Sequence, residues 1–339
     1  MKNKIMVAGN IIVDYLYPIT GYPERGQLTT IEDGCGKSVG GAVCNVGIDL
    51  KRLMPDTEIC ALGLVGDDDS GRYALSVMED EGVNTSLVGK KGATSFTYVM
   101  SDKISRERTF FQYRGANAHF SEESFNWDDI DCDLLHIAYI LLLDELDKED
   151  SEYGTKMARL LAHAKERGIK TSIDVVSETG ERFGRLVPPA LKYTDYCIIN
   201  EIEASRSTGI PLRAEDGTLI YENVKKVLSK LFELGVSEWA VIHSPEGGFG
   251  MDKEGDYAEC GLVYTPSGFI KGKVGAGDAF CAGVLSAAHR GLSLLDAVKL
   301  GNAAATVSLR SPGATEAMET IEETMRICSE LGFEPVKLN

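Results

Sequence analysis

The chain has 339 residues, 43% of them hydrophobic and 26% charged, with a formal net charge of −17. That is length enough to bury a large core without disulfide or metal staples. So acidic a surface repels nucleic acid and anionic membrane, so neither is an expected main partner; it reads as ordinary solubility, and an anionic substrate would need a local basic pocket.

Met1-Lys-Asn-Lys-Ile5 leads directly into a short apolar run, Lys4 to Gly9, which reads as a buried strand. No secretory apolar segment precedes it and no stretch reaches the ~18 apolar residues that span a bilayer, so a reduced, cytoplasmic location is expected. None of the eight cysteines forms a CxxC pair, which argues against zinc; Cys60, Cys197 and Cys281 lie in apolar runs and read as small core residues. Asp14 follows the first strand, where a parallel sheet gathers its ligands, and its carboxylate can accept from two vicinal hydroxyls. From Tyr15 to Cys35 the turn residues Pro18, Gly21, Pro23 and Gly26 separate short β-prone pieces. Thr94 to Arg114 alternates in the same way, and the two stretches suggest antiparallel ribbons.

Gly40-Gly41 opens a helix over Ala42–Leu53, with Val43, Val46, Leu50 and Leu53 on one face and Asn45 in its first turns. Gly36-Lys37-Ser38 looks like the tail of a P-loop, but that motif needs glycine where Ile31 stands. Strands and helices then alternate. Strands are expected at 59–65, 134–137, 170–175, 196–199 and 239–243; helices at 69–81, 151–167, 221–234, 296–309 and 320–331. This pattern predicts a mostly parallel sheet with helices on both faces. The charged run 144–152 reads as solvated surface. Asn200 and Glu203 follow the 196–199 strand at a spacing that suits a helix capping box and equally an oxygen site for magnesium.

The stretch Gly272-Lys-Val-Gly-Ala-Gly-Asp-Ala-Phe-Cys-Ala-Gly283 carries the chemistry. Two glycines precede Asp278, and a small apolar helix follows. The amides of such a turn form an anion site. A carboxylate beside a phosphate is costly as a bystander but sensible as a base taking a proton from an attacking hydroxyl. Asp278 as a plain helix cap is the other reading of this loop.

Gly275-Ala-Gly-Asp-Ala-Phe280 resembles the C-terminal signature of the ribokinase-like (PfkB) carbohydrate kinases. Gly40-Gly41-Ala42-Val43-Cys44-Asn45 is similar to their second signature, and Asn200-x-x-Glu203 to a third. The resemblance covers nearly the whole chain. It implies a ribokinase-like α/β fold: one catalytic domain over 1–339, a three-layer α/β/α sandwich with a mostly parallel sheet, and a small β-lid from about 12–36 and 93–117. It implies ATP-dependent phosphorylation of a primary hydroxyl of a small sugar, with ATP and Mg2+ as cofactors. The sugar would be held by Asp14, Gly40, Gly41 and Asn45. Asp278 would be the base, and the amides of Gly275, Ala276 and Gly277 would stabilise the transferred group. Asn200, Ser244, Gly247 and Asn302 would serve the nucleotide, and Glu203 the magnesium. Arg114 is a candidate for an acidic or phosphorylated sugar, with a plain lid arginine as the other reading.

Three departures matter. Gly272 and Lys273 stand where many relatives carry Asp-Thr at a monovalent-cation site, so weak potassium activation is expected. Tyr139 stands where ribokinases carry a glutamate, which weakens a strict ribose assignment. Ser244 stands where glycine is usual. A nucleoside kinase on the same scaffold and a sugar-binding regulator without catalysis are the alternatives; a homodimer is implied only by the resemblance.

Overall fold

The computed structural model describes residues 3–105, 107–176, 180 and 182–336; Arg106, in the second lid stretch, lies outside the described residues. Its first strand, β1 (Lys4–Gly9), sends Met6 and Ala8 into one core and Ile5 and Val7 into the other. A strand covered by helices on both faces has to be apolar on both, because side chains alternate.

The chain continues through β2 (Ile12–Ile19), β3 (Gly36–Gly40), α1 (Ala42–Leu53), β4 (Glu58–Val65), α2 (Asp69–Asp80) and the short β5 (Gly89–Lys90). β6 (Phe96–Asp102), β7 (Arg108–Tyr113) and β8 (Leu134–Ile140) follow, then a small hairpin of β9 (Glu149–Asp150) and β10 (Gly154–Thr155). Next come α3 (Lys156–Glu166), β11 (Lys170–Val175), α4 (Phe183–Leu191), β12 (Tyr196–Asn200), α5 (Glu201–Thr208) and α6 (Val224–Glu233). The last part holds β13 (Trp239–Ser244), β14 (Gly247–Asp252), β15 (Tyr257–Gly261), α7 (Ala276–His289), α8 (Leu294–Ser308) and α9 (Ile321–Leu331).

The main sheet has nine strands in the order β15-β14-β13-β12-β11-β8-β1-β4-β5. From β13 to β5 every neighbouring pair is parallel; β14 and β15 are added antiparallel at one edge. Side chains of α3, α4, α5 and α6 fill the core on one face, and those of α1, α2, α7 and α8 the other. This is the expected three-layer sandwich. No helix of the described residues is long and apolar enough to cross a membrane.

A separate four-stranded lid sheet runs β3-β2-β6-β7. Its outer pairs are antiparallel, but the central pair, β2 and β6, is parallel, which corrects the expectation of antiparallel ribbons alone. The reason is topological. β2 departs from the carboxyl end of β1 and β6 from that of β5, so both leave the same edge of the main sheet in the same direction. Two further expectations are corrected. The helix expected from residue 151 starts at Lys156, because Thr155 accepts a hydrogen bond from the Ala158 amide at 3.1 Å and caps it there. Within the charged run 144–152, Asp147 is buried rather than solvated, and it accepts from the Leu141 amide (3.0 Å) and Arg182 (3.1 Å).

Asp49 in α1 is unusual for a core position. It is 0% exposed, and neither carboxylate oxygen has a hydrogen-bond partner. Burial pushes its carboxyl well above the usual carboxylate range; Asp278 adds to that push and Arg52 opposes it. A carboxyl raised in this way binds more protons folded than unfolded. Its contribution to stability is therefore lost as pH rises above about 4, the unfolded value. Asp49→Asn is expected to raise the melting temperature, and by more at pH 8 than at pH 5. Thermal melts at the two pH values check this; an equal change at both would rule out the buried charge as the cause.

Candidate active site

The site forms where the carboxyl ends of β1, β8, β11, β12 and β13 meet the first turn of α7. Gly275 precedes that helix at φ +75°, in the left-handed region, and packs against the loop after α8: a Cβ there would lie 2.7 Å from Ala314 Cβ and 2.9 Å from Ala314 Cα. Only glycine meets both demands. No side chain caps α7, and its first intrahelical bond is the Ala279 amide to Gly275 O at 2.8 Å. The earlier amides, at Ala276, Gly277 and Asp278, have no intrahelical acceptor. Together with the helix dipole they make an anion-binding turn.

Asp278 lies in this first turn, 8% exposed. Two donors from other elements hold it. Asn45 Nδ2, on α1, donates to Oδ2 at 2.8 Å, and the Tyr139 hydroxyl, at the end of β8, donates to Oδ1 at 2.5 Å. Burial pushes the Asp278 carboxyl above its ordinary value, while Tyr139 and Asn45 pull it back. The outcome is a buried carboxyl group fixed on both oxygens beside the helix start, a geometry compatible with a general base.

Asp14 projects from β2, and Gly40 leaves room for it: a Cβ at Gly40 would lie 2.4 Å from Asp14 Oδ2. Burial raises the Asp14 carboxyl to about 6, opposed by a hydrogen bond from Thr97. Asp14 and Asp278 both act on the buried Cys44 thiol, which burial pushes up to about 12, so the two carboxylates flank the start of α1. Gly41 turns the chain into α1 against Asn10 O, which accepts from the Val43 amide at 3.2 Å. Asn45 Oδ1 is buried with no partner, an acceptor facing the same region as its amide group. Arg114, just after the lid strand β7, has a buried, unpartnered Nη1, and its charge reaches Asp147.

On the other flank, Asn200 Oδ1 accepts from the amides of Ile202 (3.0 Å) and Glu203 (2.9 Å), and Glu203 accepts from the Asn200 amide at 3.0 Å. The capping box is therefore formed. Asp174, at the end of β11, is buried near both Glu203 and Asp278; burial first, and then those two charges, push its carboxyl well up. Such an oxygen-only surround suits a magnesium ion that keeps much of its water. Among the described residues no group of three or more His, Cys, Asp or Glu could cage an ion directly.

Ser244 Oγ donates to Glu246 at 2.8 Å and accepts from its amide at 3.1 Å, which shapes the β13–β14 turn that ends at Gly247. Arg213 pins the same turn by bonding Glu246 and Glu201 at once. Asn302 does not turn towards this cleft with its amide group: Nδ2 is spent on the carbonyls of Cys260 (2.8 Å) and Gly261 (3.0 Å), tying α8 to β15.

The sequence reading did not single out Asp174, Arg213 or His243, and treated Tyr139 only as a departure. His243 packs on the Phe280 ring at 4.9 Å beside Gly277, and burial lowers it to about 4, so it is neutral there. Asp174, His243 and Tyr139 share one signal, position at a strand's carboxyl end; Arg213, in the stretch between α5 and α6, does not share it. Gly275→Ala is expected to destabilise the fold by about 1–2 kcal/mol, the cost of a left-handed residue with a Cβ. A rise in melting temperature on adding a nucleoside triphosphate is expected in the wild type and not in this variant; an equal rise in both would place the anion elsewhere.

The pfkB family carbohydrate kinase model matches residues 2–321. The chain is 24% identical over 296 residues to the 5-dehydro-2-deoxygluconokinase of Geobacillus thermodenitrificans, covering 85% of this chain and 83% of the relative. It is 24% identical over 327 residues to the nucleoside kinase of Methanocaldococcus jannaschii, covering 95% of each. Its fold is similar to that of Arabidopsis thaliana ribokinase complexed with ribose and ATP, with a TM-score of 0.77 at 19% identity over 96% of this chain and 98% of that one. With a family match across almost its full length and the fold to go with it, the chain belongs to the pfkB family of carbohydrate kinases.

Proposed function

We propose that this kinase transfers the γ-phosphoryl group of ATP to a primary hydroxyl of a small sugar, with Asp278 as the base and the whole chain acting as one catalytic unit under its lid. The observation that carries the reading is the doubly held, buried Asp278 carboxylate one turn inside an anion-binding helix start. Asp14, Gly40, Gly41 and Asn45 line the acceptor side, and the partnerless Asn45 Oδ1 offers an acceptor to a sugar hydroxyl. As the hydroxyl oxygen bonds to the γ-phosphorus, its proton passes to Asp278. The bond to the β–γ bridging oxygen breaks and ADP leaves. The amides of Ala276 and Gly277, in the turn set by Gly275, meet the charge on the transferred group. Asn200 and Glu203 would hold magnesium through its water, and magnesium supplies charge neutralisation on the phosphates. Ser244 and Gly247 border the nucleotide. Asn302 supports that border through β15 rather than by its amide.

The acceptor we favour is a ketose or sugar acid. The buried, unpartnered Nη1 of Arg114 supports an anionic group on the sugar, as it is a donor that a carboxylate would satisfy. A nucleoside acceptor is the second reading, supported by the likeness to a nucleoside kinase. Gly272 offers no side-chain oxygen to a monovalent cation, which supports weak potassium activation. The lid strand β7 is exposed at every residue, with Phe110, Phe111 and Tyr113 outward, which supports pairing of lids in a homodimer.

ADP release with Mg-ATP across ketoses, ribose, sugar acids and nucleosides tests the reading. One acceptor class should turn over, and Asp278→Asn should lower kcat for it by ~10²–10⁴ with the melting curve kept. Full activity in that variant would refute the assignment of the base.

A further inference from the structure

Tyr139 is where the fold has placed a phenol on the base. Its backbone amide donates to Asn10 Oδ1 at 2.7 Å, and the Asn10 amide donates in turn to Ala138 O at 3.0 Å. The end of β8 is therefore locked to the end of β1, which fixes the backbone from which the ring projects. The hydroxyl reaches Asp278 Oδ1 at 2.5 Å while Asn45 reaches Oδ2 at 2.8 Å. Two donors on opposite oxygens fix the plane of the carboxylate, since turning it breaks both bonds. Each oxygen keeps a second lone pair, so an acceptor hydroxyl can approach without displacing either donor.

We propose that Tyr139 is a positioning residue for the phosphoryl-transfer reaction: its phenol orients the Asp278 carboxylate and keeps it ionised inside a dry site. The inference rests on the reading of Asp278 as the base. The electrostatics point the same way. A buried carboxylate with no donor would hold its proton and could not take another. Apart from the start of α7, whose dipole favours a negative charge, the groups facing Asp278 offer little other help: Asp49 and Cys44 on α1, Asp174 on β11 and Cys281 on α7 are acids or neutral thiols. Beyond Asp174 lies Glu203, which bears on Asp174 rather than on Asp278. Asn45 donates, but it also has to serve the acceptor. Tyr139 itself keeps its proton, because burial first, and then Asp278 and Asp174, push its hydroxyl well above the usual value. It is a donor throughout the working pH range.

The test compares wild type, Tyr139→Phe and Asp278→Asn on the acceptor found by the panel, with kcat/KM measured from pH 5 to 9. Tyr139→Phe removes one oxygen and no volume. It is expected to lose about tenfold or more in kcat near pH 6, as befits one hydrogen bond to a charged group, and to recover part of that loss at pH 9, where only the missing orientation remains. The acid limb of its profile moves to higher pH, and KM for ATP stays the same. Site-specific 3-fluorotyrosine at position 139, a more acidic donor in the same shape, is expected to move the acid limb the other way. An acid limb in Tyr139→Phe identical to wild type, at equal or uniformly lower rate, would overturn the inference while Asp278→Asn remains inactive. Activity retained in Asp278→Asn is a separate result, which removes the base itself.

Discussion

A carboxylate proposed as a base beside a phosphate has to be held in place, and here three separate elements hold Asp278. Asp278 comes from α7, Asn45 from α1 and Tyr139 from β8, with bonds of 2.8 and 2.5 Å on opposite oxygens. None of these contacts is local: Asn45 and Tyr139 are 233 and 139 residues away in the chain. The site therefore exists only when the sandwich is closed, and the burial that raises the carboxylate's proton affinity comes from the same packing that delivers the donors opposing it.

The sheet explains why these groups meet. Parallel strands bring their carboxyl ends to one edge, so Asp14 beyond β1, Tyr139 on β8, Asp174 on β11, Asn200 on β12 and Ser244 on β13 all converge there. The lid leaves from the same edge through β2 and β6, which is why that central pair runs parallel. α7 lies in the layer against α1 and α8, and its small residues from Ala279 to Ala287 allow close approach. The left-handed turn at Gly275 then aims the helix start at the strand ends.

Much of this was readable from the chain. β1, α1 and β11 run over the residues their patterns predicted, because apolar runs bounded by glycine or polar residues leave little choice of period. The glycines of the Gly275–Asp278 turn announced the tight, left-handed entry into α7. Other parts were hidden for physical reasons. α4, which the sequence pattern did not predict, contains Pro188 and Pro189, residues rare inside helices, while Phe183, Leu186, Val187, Ala190 and Leu191 are buried. β14 is glycine-rich because α8 and Phe280 press on Gly248 and Gly250, so it lacks a strand's usual composition. Asp147 sits in a charged run yet is buried, since only tertiary contacts with Leu141 and Arg182 make that affordable. Asn302 carries a motif-like signal, while its amide group is used to join α8 to β15. Tyr139 had no signal beyond its place at a strand end, because its partner lies far along the sequence.

The most direct measurement of the central claim is a crystal structure with Mg-ADP, aluminium fluoride and an acceptor sugar. The account predicts the fluoride complex against the amides of Ala276 and Gly277, with one acceptor hydroxyl within hydrogen-bond reach of Asp278. A fluoride complex away from the start of α7, or an acceptor whose nearest carboxylate is a group other than Asp278, would contradict it.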